Sequence, residues 1–297
     1  MMSAMANDYS LVCETFDEAS EVLGYDLWSV TNQGPETELN RAEIKKPAML
    51  VAGVATWRVW QQLGGARPDF FAGHGLGEYT ALVATGVMEF PDAVSIVAQR
   101  GRFMQQATPA TGGAMTAVWG LEDIQMRDIC SRVENGEVVS CANYNAPGQV
   151  VISGNRDAVT MASEMAVQAG ADKVEALPVD IPSHCLLMKP AAVKLQDALL
   201  TVHFSDSSIP VIQNADVRAY HDAEQMREAL ARQLWQPVRW TESILKLLNS
   251  GVTRFFECGP GDVLTDFNRH ITPDSAVYSL TGKHSLNEAL YLENSDD

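Results

Sequence analysis

The pentapeptide Gly-His-Gly-Leu-Gly at residues 73–77 lies between a predicted buried strand, 69–73, and a predicted helix, 76–85. Small residues on both sides let a sharp turn project the central side chain above a sheet, as in the G-x-S-x-G nucleophile elbow. The start of the following helix offers a backbone N–H to an oxyanion. Here the central residue is Gly75, which has no reactive atom. Taken alone, the pentapeptide is more often a glycine-rich turn without chemistry.

Arg100 lies on the apolar stripe of the predicted helix 92–106, whose apolar residues recur at spacings of three and four. An arginine that faces a core needs an anion, because an unpaired buried charge is costly. That anion is either an internal aspartate or glutamate, or the carboxylate of a substrate held by the guanidinium fork.

Two further polar residues fall where chemistry is possible. His184 follows Pro182 and Ser183 and is able to act as a general base, although a lone histidine is more often structural. Gln233 lies on or beside the apolar stripe of the predicted helix 222–234, which is equally typical of a satisfied buried amide.

The elements that must position these residues alternate between strands and helices, which predicts an α/β fold with a mostly parallel sheet. Between residues 113 and 180 the order changes to βαββαβ, which is typical of a ferredoxin-like subdomain. The sequence therefore predicts a large α/β-hydrolase-like domain, 1–112 and 181–297, with a ferredoxin-like insertion, 113–180. The last element that the pattern indicates is a helix starting at Asp262.

Composition limits the function classes. The 297 residues carry a formal net charge of −17, which argues against a nucleic-acid partner. The start of the chain does not resemble a signal peptide, and no apolar run is long enough for a membrane span. Five scattered cysteines without a CxxC pair indicate reduced thiols in a cytoplasm. We predict neither a metal site nor a cofactor.

Motifs along nearly the whole chain together resemble one known family. They are the segments 72–82, 100–105, 145–152, 181–190, 232–241 and 259–264. In order, they are similar to the elbow G-H-S-L-G-E-Y-S-A-L, the arginine helix, the subdomain hairpin, the catalytic-histidine segment, the late helix and the last turn of malonyl-coenzyme A:acyl-carrier-protein transacylases. Six matches in the family's order are far more specific than any one of them.

The resemblance implies a role for each candidate. His184 would be the general base, oriented by a backbone carbonyl, and Arg100 would hold the free carboxylate of the malonyl group. Gln233 would lie in the active site near His184, and Leu76 and Asn214 would contribute to substrate binding. The implied partners are malonyl-coenzyme A and an acyl carrier protein, and the implied pathway is fatty acid biosynthesis.

Two departures from the family pattern limit this expectation. Gly75 occupies the position of the serine that would form the acyl-enzyme, and the opening strand and G-Q-G-S-Q loop of the family have no counterpart before Met1. We therefore expect little or no transfer, with malonyl-coenzyme A still bound through Arg100. The alternatives are an enzyme in which His184 activates water or a thiol, and a non-catalytic protein that binds malonyl-coenzyme A or the carrier protein. An unrelated α/β hydrolase is the alternative fold.

Overall fold

The computed structural model describes residues 2–133 and 136–293. Its helices are α1 (Ser3–Asp8), α2 (Ser10–Leu23), α3 (Leu27–Gln33), α4 (Glu36–Leu39), α5 (Ala42–Gln62), α6 (Gly77–Ala84), α7 (Phe90–Ala107), α8 (Asp123–Ser131), α9 (Arg156–Gln168), α10 (Lys189–Leu199), α11 (Ala223–Gln233), α12 (Trp240–Asn249), α13 (Val263–Ile271) and α14 (Lys283–Glu293). Its strands are β1 (Phe71–Ala72), β2 (Gly113–Trp119), β3 (Val139–Ala146), β4 (Gln149–Asn155), β5 (Lys173–Ala176), β6 (Val211–Ile212), β7 (Val238–Arg239), β8 (Arg254–Glu257) and β9 (Ala276–Ser279).

The larger unit pairs its strands in parallel, as predicted. β1 pairs with β6, and β8 pairs with β9, in two separate two-stranded sheets. Helices α2, α5, α6, α7 and α10 supply much of the main apolar core, which includes Phe16, Leu50, Leu82 and Leu195. The α/β fold class is therefore confirmed, and the parallel β1–β6 pair brings the segments after both strands to one end.

The smaller unit contains a five-stranded sheet in the order β5–β2–β4–β3–β7. Its first four strands are antiparallel neighbours, which is the split βαβ arrangement predicted from the βαββαβ pattern. Helices α8 and α9 contribute to its separate apolar core through Met126, Val159 and Ala162. β7 joins the sheet in parallel with β3, although it comes from a segment after residue 180. The domain limits 113 and 180 stay a prediction.

A close contact between α5 and α7 positions the middle of α7. A Cβ atom at Gly101 would lie 2.6 Å from the backbone oxygen of Ala42, so the approach of the two helices requires glycine there. Nearby, Arg102 Nε donates to Glu43 Oε2 over 3.1 Å. Arg100, one residue before this contact, is fully buried.

The prediction that the element pattern ends with a helix starting at Asp262 was wrong. After α13 the chain forms β9, which pairs with β8, and then α14. β9 is only four residues long, which is too short to show a clear alternation of polar and apolar residues in the sequence. No helix in the described residues is both long enough and apolar enough to cross a membrane.

Candidate active site

The turn between β1 and α6 has the geometry of an elbow. Gly75 has a φ of +54°, in the left-handed region that glycine adopts without steric cost. A Cβ at Gly73 would collide with the backbone of Gly77, so the two ends of the turn pack directly against each other. Within the turn, Glu78 N donates to Gly75 O over 3.2 Å. The predicted strand–turn–helix context of residues 73–77 is confirmed.

Asn214 holds this turn in place from the segment after β6. Its Oδ1 accepts a hydrogen bond from Gly75 N at 2.6 Å, and its Nδ2 donates to Gly73 O at 2.6 Å. Because β6 runs parallel to β1, Asn214, two residues beyond the end of β6, reaches the turn that follows β1. Asn214 thus lies in the candidate site, where its side chain contacts the elbow backbone, and a substrate contact for it stays a prediction.

His184 faces the centre of the elbow. Its Nδ1 lies 2.7 Å from Gln233 O, and because a carbonyl can only accept, Nδ1 carries the proton. The other ring nitrogen, Nε2, is then unprotonated. Nε2 lies 3.4 Å from the position that a Cβ would take at Gly75. Burial, followed by the charge of Arg100, lowers the pKa of His184 to about 3, so the ring is a neutral base. The expected orientation by a backbone carbonyl is confirmed.

Arg100 is 1% exposed and has no carboxylate partner within ion-pair distance among the described residues. Its Nη2 donates to Gln233 Oε1 over 3.1 Å. Nε and Nη1 have no hydrogen-bond partner in the part of the chain that the structure describes. The internal ion pair considered from sequence is therefore not formed, and two guanidinium nitrogens, Nε and Nη1, remain available to an external anion.

Glu78 is a buried carboxyl group that the sequence reasoning did not assign to the site. Its Oε2 accepts from Gln233 Nε2 at 2.7 Å and from Asn214 N at 3.2 Å. Gln233 Nε2 also donates to Gly75 O over 2.7 Å, so one buried network joins these side chains to the elbow. Burial raises the pKa of Glu78 to about 7. A charged residue within the apolar run of α6 was the available signal.

Lys46 is a second cation that the sequence reasoning missed. It lies on α5, is half-buried, and has neither a hydrogen-bond nor an ion-pair partner among the residues described. Burial, and next the charge of Arg100, lower the pKa of Lys46 to about 7. Its sequence context, a pair of lysines before Pro47, indicates only a solvated helix start, so no sequence signal pointed to the site.

The two residues on either side of Gly75 have different environments. His74 Nε2 lies 2.8 Å from Asn145 Oδ1, and the ring packs beside Trp240 with centroids 5.6 Å apart. His74 therefore connects the elbow to the hairpin of the smaller unit. Leu76 precedes α6, and its backbone N–H has no hydrogen-bond acceptor among the described residues.

A cavity of about 420 Å³ leads to His184 between the two units. Its walls include Arg127 and Tyr144 from the smaller unit and Leu186 and Trp235 from the larger one. Arg100 is fully buried and does not line this cavity. An elongated ligand that enters here reaches His184 first.

Comparison with known proteins agrees with this geometry. Residues 7–290 match the family described as acyl transferase domain. A malonyl CoA-acyl carrier protein transacylase from Salmonella typhimurium is 48% identical over 290 residues, which cover 98% of this chain and 94% of that protein. The chain belongs to the malonyl CoA-acyl carrier protein transacylase family.

Two solved structures of this transacylase family have the same fold. An acyl carrier protein S-malonyltransferase from Vibrio cholerae superposes with a TM-score of 0.93 at 48% identity, covering 97% of this chain and 94% of that one. A malonyl-transacylase solved in complex with a type II polyketide acyl-carrier protein superposes with a TM-score of 0.96 at 45% identity, covering 98% and 94%.

The structure brings the predicted site residues together. Gly75, His184 and Gln233 are in direct contact or hydrogen-bonded, and Arg100 joins them through Gln233. Thr80, the next residue with an aliphatic hydroxyl after the elbow, packs against α5, since a Cβ at Gly53 would lie 2.8 Å from its Cγ2. The structure thus directs Thr80 towards α5 rather than into the space between Gly75 and His184.

Proposed function

We propose that this chain is a malonyl-coenzyme A:acyl-carrier-protein transacylase of fatty acid biosynthesis whose transfer step is greatly impaired because Gly75 replaces the nucleophile. The observation that carries the proposal is the 3.4 Å between His184 Nε2 and the Cβ position at Gly75. A neutral imidazole at that distance is placed to take the proton of a hydroxyl on residue 75. His184, the base, is in position, but the hydroxyl whose proton it would take is absent because residue 75 is glycine.

The other residues would bind and polarise the substrate. The free Nε and Nη1 groups of Arg100 would hold the malonyl carboxylate, and Leu76 N–H would donate to the thioester oxygen as it gains charge. Gln233 would keep the guanidinium in place through the hydrogen bond from Arg100 Nη2 to its Oε1. These roles require only that the thioester carbon lie near Gly75.

With a serine at residue 75, the reaction would have two halves. The hydroxyl would attack the thioester while His184 takes its proton, and coenzyme A would leave with that proton. The phosphopantetheine thiol of the carrier protein would then remove the malonyl group. Gly75 cannot form the covalent intermediate, so the chain as it stands would hold malonyl-coenzyme A without consuming it.

The second candidate function is a protein that binds malonyl-coenzyme A or the acyl carrier protein without catalysis. The two unpartnered nitrogens of Arg100, Nε and Nη1, favour it, because they support binding of a carboxylate whether or not residue 75 reacts. Both candidates place the chain in the cytoplasm. The five cysteines, all free thiols, support that location, because disulfides are rare in reducing compartments.

Equilibrium binding and transfer together test the proposal. We expect malonyl-coenzyme A to bind in calorimetry and acetyl-coenzyme A to bind at least about tenfold more weakly, since one charge-assisted pair is lost. Arg100→Ala should remove this preference, while Arg102→Ala, an exposed control on the same helix, should keep it. Transfer of labelled malonyl groups to holo acyl carrier protein should be at least about a thousandfold faster in Gly75→Ser than in the original chain.

Each arm has a result that contradicts the proposal. No affinity for malonyl-coenzyme A would reject a malonyl-binding site altogether. Equal transfer by the original chain and by Gly75→Ser would show that residue 75 does not carry the reaction. Binding with the expected preference and no transfer by Gly75→Ser would favour the non-catalytic candidate.

A further inference from the structure

Lys46 lies at the same helix contact as Arg100. The start of α5 meets α7 where Ala42 approaches Gly101, directly after Arg100 in the chain. Lys46 is four residues beyond Ala42, and residues at that spacing share one face of a helix. The side chain therefore starts from the face of α5 that packs on α7, one turn along from the contact.

Neither cation has a carboxylate within ion-pair distance among the described residues. Lys46 has no hydrogen-bond partner there, and neither do the Nε and Nη1 atoms of Arg100. The neighbours whose charges act on Lys46 are Arg100 and Lys45, which are both cations. The carboxyl near Arg100 is Glu78, whose Oε2 accepts hydrogen bonds from Gln233 and Asn214 and whose Oε1 has no partner among the described residues. Burial raises the pKa of Glu78 to about 7, so near neutral pH it supplies only a partial counter-charge. A carboxylate that binds between the two side chains would therefore be attracted by both of them.

Both cations also act on the candidate base. After burial, the charges of Arg100, His74 and Lys46 each lower the pKa of His184. Arg100 is linked to the ring directly, because its Nη2 donates to Gln233 Oε1 and the backbone oxygen of Gln233 accepts from His184 Nδ1. The pair therefore lies beside the buried network that joins His184 to the elbow.

We propose that Lys46 is a second cationic contact for the free carboxylate of a dicarboxylic acyl thioester, which it would hold together with Arg100. The inference rests on the proposed function, since it assumes that a malonyl-type group binds beside His184. Arginine presents a planar fork to two carboxylate oxygens, whereas lysine acts as a point charge that can take a remaining lone pair. Together they would discriminate against monocarboxylic acyl groups more strongly than arginine alone.

Binding to the original Gly75 chain tests Lys46 cleanly, because residue 75 cannot become acylated during the titration. Lys46→Met removes the charge and keeps most of the stem, and Lys46→Gln is a second variant in case methionine disturbs folding. Lys45→Met is the matched control, because Lys45 is the exposed neighbour on the same helix and its Nζ contacts Asn40 Oδ1 over 3.3 Å. Each variant is titrated with malonyl-coenzyme A and with acetyl-coenzyme A, beside Arg100→Ala.

Lys46→Met and Lys46→Gln should each weaken malonyl-coenzyme A binding about tenfold, the size of one charge-assisted hydrogen bond, and change acetyl-coenzyme A binding less than about twofold. Lys45→Met should change neither. Unchanged malonyl-coenzyme A binding in both Lys46 variants, with Arg100→Ala still impaired, would overturn the role of Lys46 and leave the proposed function standing. Equal losses for both thioesters, or an equal loss in Lys45→Met, would also overturn it. Absence of binding in the original chain would overturn both proposals.

Discussion

His184 Nε2 lies 3.4 Å from the Cβ position of Gly75, and the other ring nitrogen of His184 lies 2.7 Å from Gln233 O. These two contacts fix both the position and the protonation state of the imidazole. A hydroxyl added at residue 75 would therefore meet a base that is already oriented, without any rearrangement of the histidine.

Gly75→Ser is expected to become acylated. After mixing with malonyl-coenzyme A, intact-protein mass spectrometry should show an adduct of malonyl mass on this variant and none on the original chain. Gly75→Ala, which adds Cβ without a hydroxyl, is the matched control and should stay unmodified. Gly75→Ser combined with His184→Ala should acylate at least about a hundredfold more slowly, because the general base is lost.

An adduct on the original chain would contradict this prediction and would indicate a nucleophile other than residue 75. Peptide mapping of that adduct would identify the residue. Thr80 is directed towards α5, so acylation there would also contradict the packing described for α6.

The same substitution is expected to lower stability. Gly75 has a φ of +54°, where a residue with a side chain is strained, so Gly75→Ser should lose about 1 kcal/mol of unfolding free energy. Gly77→Ala is the control, because Gly77 has no positive φ and a Cβ there would meet nothing within 4 Å. It should gain up to about 1 kcal/mol. Urea unfolding measures both, and a Gly75→Ser chain as stable as the original would show that the turn carries no strain.

Much of the fold was predictable because it depends on local patterns. Amphipathic helices such as α7 and α11 have clear periodicity, and the βαββαβ order of the smaller unit led to the correct strand arrangement. β7 and β9 were not predicted, since strands of two and four residues carry too little pattern. Their positions depend on partners far away in the chain, β3 and β8.

The site was predictable only in part. A glycine-rich turn, a buried arginine and a histidine after a proline are visible in the sequence, and the family resemblance placed them together. The role of Lys46 was not visible, and that of Glu78 was indicated only by its place in the apolar run of α6, because burial of a charged side chain depends on which helices pack around it. Likewise, the contact of Asn214 with the elbow depends on the pairing of β1 with β6.

Asn214 is expected to be necessary for a rigid elbow. Asn214→Ala leaves Gly75 N–H and Gly73 C=O without their buried partners, and this should lower the unfolding free energy by about 2–4 kcal/mol. The double variant Gly75→Ser with Asn214→Ala should also acylate more slowly than Gly75→Ser. Asn249→Ala, at the exposed end of α12, is the control and should stay within about 0.5 kcal/mol of the original. A loss no larger than that of the control would show that the elbow does not depend on Asn214.

Glu78 is expected to make stability fall as pH rises. Burial raises its pKa from 4.5 to about 7, so the folded chain keeps a proton that the unfolded chain releases between these values. The stabilisation is complete below pH 4.5 and is lost as pH rises through 7. Glu78→Gln keeps an oxygen acceptor for Gln233 and Asn214 and cannot ionise. The unfolding free energy of Glu78→Gln minus that of the original chain should therefore increase by about 2 kcal/mol from about pH 5 to about pH 8.

Urea unfolding at the two pH values measures this difference. The titration of His184 is present in both chains, so it cancels in the comparison. Glu164→Gln, at an exposed position on α9, is the control. Its unfolding free energy should differ from that of the original chain by the same amount at both pH values. If the unfolding free energy of Glu78→Gln minus that of the original chain stays constant or decreases as pH rises, Glu78 is ionised in the folded chain throughout this range. In that case Arg100 would have a resident counter-charge, and its guanidinium would bind an external carboxylate more weakly than proposed.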